Sequence, residues 1–205
     1  MANNNHLIDK YIDALLVEAV ERKKELNTET LTTVYLGGGT PSLLSITQLS
    51  KLVNGLKKVF DFSDVEEFTI EVNPDDVTPE CIQQSKSLGI NRVSMGVQSF
   101  SDEDLRFINR RHTAKQATDA IHIIKEAGID NISIDLIYGI PGQNFEIWKN
   151  IVDTAILLSV QHISAYTLMY EEGTRLSVMR SLGKITEVKT AKRWHARLLR
   201  AYREW

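Results

Sequence analysis

A chain of 205 residues, 42% hydrophobic and 25% charged, can bury a sizeable core, about 70% of the surface its unfolded form exposes. Its formal net charge of −3 offers no general basic face, which excludes nucleic acid as a default partner. No apolar run approaches the ~20 residues of a bilayer span, the polar start Met1–His6 lacks a signal peptide's apolar segment, and the single Cys81 excludes an intrachain disulfide, so a cytoplasmic protein is expected.

Helical spacing at Leu7, Tyr11, Leu15, Ala19 and Leu26 predicts a first helix. A strand over Thr33–Leu36 then runs into Gly37-Gly38-Gly39-Thr40-Pro41-Ser42. Three adjacent residues without Cβ expose backbone to a ligand, and Thr-Pro-Ser suits a helix start with proline in the first turn. The next helix covers Ile46–Phe60, with Leu49, Leu52, Val53, Leu56 and Val59 on one face. Glu67–Asn73 reads as a strand that stops at Pro74. Thr78-Pro79-Glu80 carries a cap, a proline and an acid, which start a helix ending at Gly89. A strand over Arg92–Gln98 follows, then a helix from about Ala114 to Gly128. Ile132–Tyr138 is a further strand, closed by Gly139-Ile140-Pro141-Gly142. A helix through about Leu158 precedes a strand over His162–Leu168. Ala191–Trp205 reads as an amphipathic helix with Trp194, Leu198 and Tyr202 in register.

Five strands separated by helices predict an α/β fold of parallel βα units, in one domain spanning residues 1–205. A βα array normally opens on a strand, and this one opens on a helix; the last helix stops without a cap. Both ends therefore read as truncated.

Ligands of parallel βα folds bind at the carboxyl ends of the strands. On that rim the sequence places the glycines and Thr40, then Glu71 and Asn73, Gln98 and Ser99, Asp135, and Ser164 with Tyr166 and Thr167. Exposed backbone, two carboxylates, an amide and hydroxyls suit a polar ligand with an amine and a ribose. Arg110 can clamp a ligand carboxylate with two donors. Taken alone, the glycines fit a plain turn and Glu71 a water-facing edge. Asp135 stands among Ile132, Ile134, Leu136 and Ile137, where an acid needs a partner. His112, His122, His162 and His195 suggest no metal site, His112 and His122 being expected at surface or capped positions. Cys81 reads as a small residue at a helix start, and Trp148 and Trp194 as helix packing.

The ordered set Tyr35–Ser42, Glu71-Val72-Asn73-Pro74, Ser94–Phe100, Arg110-Arg111-His112 and Asp135–Gln143 closely resembles radical SAM proteins related to oxygen-independent coproporphyrinogen III oxidase. The resemblance covers nearly the whole chain. The Val97-Gln98-Ser99-Phe100 and Arg110-Arg111-His112 versions look more like the heme chaperone branch than the decarboxylating oxidase. It implies a partial (β/α) barrel with S-adenosylmethionine at its carboxyl rim. By resemblance Gly38, Gly39 and Thr40 line the methionyl end of that cofactor. Glu71, Gln98, Arg110 and Asp135 are similar to the side chains that hold its amino-acid and ribose groups, and Met169 to a position whose backbone borders the adenine.

The resemblance also implies a 4Fe-4S cluster on a Cys-x-x-x-Cys-x-x-Cys loop after a first strand. Neither is present, and one cysteine cannot supply three thiolates. Loss of a first strand and cluster loop directly before residue 1 accounts for both, so this polypeptide is expected neither to hold the cluster nor to cleave S-adenosylmethionine. No catalytic residue and no metal ligand is assigned. The parent is expected to handle porphyrin or heme, as a heme chaperone serving acceptor proteins; the alternatives are a true coproporphyrinogen oxidase and an inactive cofactor-binding fragment.

Overall fold

The computed structural model describes residues 2–26 and 30–202. Five strands form one sheet: β1 Thr33–Leu36, β2 Glu67–Val72, β3 Arg92–Gln98, β4 Asn131–Tyr138 and β5 His162–Thr167. All neighbours are parallel and lie in sequence order. Right-handed crossovers between successive neighbours keep the connecting helices on one face, which is the winding of an open (β/α) barrel. The expected parallel βα fold is the one observed.

Strand alternation divides the sheet. Ile70, Val93, Ile132 and Ile134 are fully or nearly fully buried on the helix side, in register as Ile70 beside Val93 and Val93 beside Ile132. Each such side chain contributes about 1.5–3 kcal/mol by leaving water. The other face carries Glu71 beside Ser94, Ser94 beside Ser133, and Asp135 beside Ser164. The polar residues are therefore collected on the concave side by the two-residue period alone.

The helices are α1 Ala2–Arg22, α2 Ile46–Val59, α3 Pro79–Ser87, α4 Asp102–Phe107, α5 Ala114–Glu126, α6 Phe145–Leu157, α7 Arg175–Ser181 and α8 Ala191–Ala201. Thr78 caps α3 with Pro79 in its first turn, and Gly89 and Gly128 follow α3 and α5 in the left-handed region, as expected. Trp148 is fully buried and Leu198 nearly so, with Trp194 and Tyr202 packed on the core.

Four differences are informative. Pro41 does not enter α2: Pro41–Leu43 forms a short 3-10 turn, and Ser45 caps α2 through a reciprocal pair with Gln48. The inward stripe of α1 is the buried Ile12 with the partly buried Ile8, Leu15, Leu16 and Ala19, whereas Leu7 and Tyr11 are 61% and 64% exposed. Leu16 decides this orientation, because it lies where Gly55 of α2 leaves room for it. Two short helices, α4 and α7, were not expected; each is started by a side-chain cap, Ser101 and Thr174. The last helix ends at Ala201, and the expected continuation over residues 203–205 lies outside the described residues.

Candidate functional site

A cleft of about 300 Å³ opens at the carboxyl ends of β2, β3 and β4. It is bordered by Gly39, Thr40, Glu71, Gln98, Arg110 and Asp135, six of the eight residues expected there from sequence. Gly38 stands behind this wall, and Met169 lies beyond β5, 65% exposed and outside the cleft lining.

The glycine segment is tied to β2 by one carboxylate. Glu71 Oε2 accepts the backbone N–H of Gly38 at 3.1 Å, and Oε1 accepts the Tyr35 hydroxyl at 2.8 Å. Burial, then the bond to Glu71, push the Tyr35 phenol pKa upward. Gly37 is required for this packing, since a Cβ there would lie 2.8 Å from the Glu71 carboxyl carbon. A Cβ on Gly39 would meet nothing within 4 Å, so this glycine holds open space beside the cleft.

Gln98 is held in an uncommon conformation, with φ at 68° and the Ser99 N–H bonded to the Val97 carbonyl at 2.9 Å. Such a three-residue turn is strained and persists only where its surroundings fix it. His112 supplies one support: its ring, 4% exposed, places Nε2 3.0 Å from the same Val97 oxygen. Burial lowers the pKa of His112, so the neutral ring donates from Nε2. The expectation of a surface or capped His112 is thus corrected, whereas His122 is exposed. Gly96 gives the Gln98 amide its space: a Cβ there would lie 3.0 Å from Nε2.

Arg110 arrives from the end of α4. Asn109 turns through the left-handed region at φ 59°, and the Arg110 N–H bonds to the Leu105 carbonyl at 2.8 Å. Burial lowers the guanidinium pKa, opposed by Asp75 and Asp135. Asp135 is pushed up, first by burial and then by Glu71, with Ser164, His162 and Arg110 acting in the opposite sense. Arg111 points elsewhere, pairing with Asp75 at 2.8 Å. One guanidinium faces two carboxylates, and an amide and backbone complete the walls.

Sequence reading placed Ser99 at the rim and missed Tyr35, Asp104 and His112 as parts of it. Tyr35 could have been found from its place two residues before the glycines in a strand, on the same face as Gly37 and beside Thr69 in register. The others are brought together only by tertiary structure.

The residues present do not fit an iron-sulfur cluster. Among the described residues no three His, Cys, Asp or Glu side chains are grouped to hold a metal. Cys81 sits in the first turn of α3, its thiol pKa pushed up by burial. No described helix is long and apolar enough to cross a membrane.

The profile of the Radical SAM superfamily matches residues 4–155. The heme chaperone HemW of Lactococcus lactis is 41% identical over 167 residues, covering 82% of this chain and 43% of the relative. HemW of Bacillus subtilis is 38% identical over 168 residues, covering 82% of this chain and 44% of the relative. Among solved structures, the coproporphyrinogen III oxidase HemN of Escherichia coli, a radical SAM enzyme, superposes with a TM-score of 0.84 at 27% identity. That superposition covers 98% of this chain and 46% of HemN. The chain thus spans less than half the length of these relatives. Because the superfamily profile and the curated relatives both run through the strands that build the cleft, the chain belongs to the radical SAM superfamily.

Proposed function

We propose that the cleft binds S-adenosylmethionine and that the chain is the cofactor-binding core of a protein of heme or porphyrin metabolism. Charge complementarity carries the reading. Glu71 and Asp135 against Arg110 leave one net negative charge around the cleft. S-adenosylmethionine brings a sulfonium, an ammonium and a carboxylate, one net positive charge. Arg110 takes the ligand carboxylate through its planar fork. Glu71 and the backbone of Gly38, Gly39 and Thr40 face the ammonium end. Asp135 accepts from the ribose hydroxyls, the Gln98 amide accepts from or donates to them, and the Met169 backbone borders the adenine. With one cysteine, the chain offers no ligand set for a 4Fe-4S cluster, and reductive cleavage is not assigned to it.

The preferred whole-protein reading is a cytoplasmic heme chaperone that passes heme to acceptor proteins, supported by the two HemW relatives. The HemN superposition favours a second reading, oxidation of coproporphyrinogen III. Anaerobic assay of a cluster-loaded protein of the relatives' length separates them. Heme binding without protoporphyrinogen formation supports the chaperone, and turnover supports the oxidase.

The cofactor reading is tested by calorimetric titration of S-adenosylmethionine into this chain. Asp135→Ala is expected to weaken binding at least about tenfold, the loss of a charge-assisted contact. Unchanged affinity overturns the assignment.

A further inference from the structure

Asp104, on α4, is a carboxylate that the cofactor reading leaves unused. It is 5% exposed, and no cation pairs with it among the described residues. Its Oδ2 accepts two hydrogen bonds, from Ser99 Oγ at 2.8 Å and from Gln143 Nε2 at 2.6 Å. Gln143 Oε1 in turn accepts the backbone N–H groups of Gly139 at 2.8 Å and Ile140 at 3.2 Å. Ser99 Oγ accepts the Ser101 N–H at 3.1 Å. One buried oxygen thus joins the turn after β3, helix α4 and the loop after β4.

A carboxylate shielded from water without a cation is costly, and here two aimed donors on Oδ2 offset part of that cost. What those bonds fix is the placement of α4. This helix has six residues, too few to hold its own position by backbone bonds. Its end delivers Arg110 through the Asn109 turn and the bond to the Leu105 carbonyl. Leu105 is the residue after Asp104, so the anchored turn is also the one that holds the Arg110 backbone.

We infer that Asp104 is a positioning residue for the cofactor site, which sets the reach of Arg110 by pinning α4 to the loops after β3 and β4. The inference rests on the reading that Arg110 clamps the carboxylate of S-adenosylmethionine. It assigns Asp104 no contact with the ligand.

The test compares two probes on this chain: S-adenosylmethionine, and 5′-methylthioadenosine, which keeps the nucleoside and lacks the amino-acid group. Arg110→Ala is expected to weaken S-adenosylmethionine about tenfold and leave the second probe within about twofold. Asp104→Leu is expected to reproduce that selective loss, and the double variant to bind no worse than Arg110→Ala alone, because the two residues act as one unit. Asp104→Asn keeps an acceptor and the shape, so it gives the same cycle with a smaller factor, about threefold, should the leucine variant fail to fold. Equal weakening of both probes, full additivity with Arg110→Ala, or an unchanged S-adenosylmethionine affinity in both Asp104 variants overturns the positioning role. If Arg110→Ala itself leaves binding unchanged, the reading of the cleft fails and the inference falls with it.

Discussion

The rim above β3 and β4 is held by hydrogen bonds shielded from water, whereas the rim above β1 is held by partly exposed ones, those of Glu71 with Gly38 and Tyr35 and of Ser42 with Asp76 and Asn73. In the first region Ser99, Asp104, His112 and Gln143 are all nine-tenths or more buried, and each has a partner on another segment. In the second, Glu71 reaches Gly38 and Tyr35, and Tyr35 is 54% exposed. An apolar cleft of about 360 Å³ lies behind the glycines, between them and α1. Hydrogen bonds gain strength in low dielectric and lose it to competing water. The difference teaches a division of labour: Gln98 and Arg110 need fixed directions and stand on the shielded side. The glycine wall offers backbone and tolerates a looser hold.

Matched deletions give the largest contrast. Gln143→Leu leaves the Gly139 and Ile140 N–H groups without their buried acceptor and removes a donor to Asp104. A loss of about 3 kcal/mol in denaturant unfolding is expected, from buried donors costing roughly 1–3 kcal/mol each. Tyr35→Phe removes one bond open to water and is expected to cost about 0.5 kcal/mol. Equal costs would break the comparison.

A smaller effect comes from pH. Burial depresses the His112 pKa below 6.5, reinforced by Arg110 and Arg111 and opposed by the Val97 carbonyl and Asp75. The unfolded imidazole therefore takes a proton that the folded one resists. Stability from this group is present above 6.5 and lost as pH falls through the depressed folded value. Asp104 and Asp135 carry raised values, so their contribution is present below 3.8 and lost as pH rises through those values, a dependence of opposite sign to that of His112. The melting midpoint is expected to hold above pH 6.5 and to fall as pH drops below it, and His112→Gln, which can still donate to Val97, to flatten that fall. An unchanged slope would remove His112 from the shielded set. His195, also lowered by burial, supplies the slope that remains.

What was legible in the sequence follows the same division. The strands and long helices were readable because periodicity and caps are local: Thr78-Pro79-Glu80 starts α3 where expected. The concave polar face was legible through Glu71 and Asp135, since a two-residue period decides which side each takes, whereas Gln98 follows a register shift in β3. The inward face of α1 was not, because Leu7 and Tyr11 offer an apolar stripe as plausible as Ile8 and Ile12, and only the space at Gly55 chooses between them. The Asp102-Glu103-Asp104 run looks like a solvated loop until Ser99 and Gln143 meet it, and Gln143 is 39 residues away. His112 depends on a carbonyl 15 residues earlier. Short-range patterns locate the elements; the supports of the site are long-range pairs between residues ordinary in their own neighbourhoods.

The smallest expected change in stability isolates function on the loosely held side. Gly39 has no neighbour within 4 Å of an added Cβ and no left-handed backbone to strain, unlike Gly38 at φ 76°. Gly39→Ala is therefore expected to alter unfolding free energy by less than about 0.5 kcal/mol. Its methyl group nevertheless borders the cleft beside Thr40. If the wall exists to let a ligand approach backbone, a methyl there should weaken S-adenosylmethionine by about threefold to tenfold at unchanged stability, because one misplaced contact costs on the order of 1 kcal/mol. Gly37→Ala is the control, since its Cβ would press on Glu71 and disturb the wall itself. Loss of stability in Gly39→Ala would mean that the glycine wall is as rigidly held as the rim above β3 and β4. Loss of affinity alone would show that the open side of the rim is kept open for the ligand.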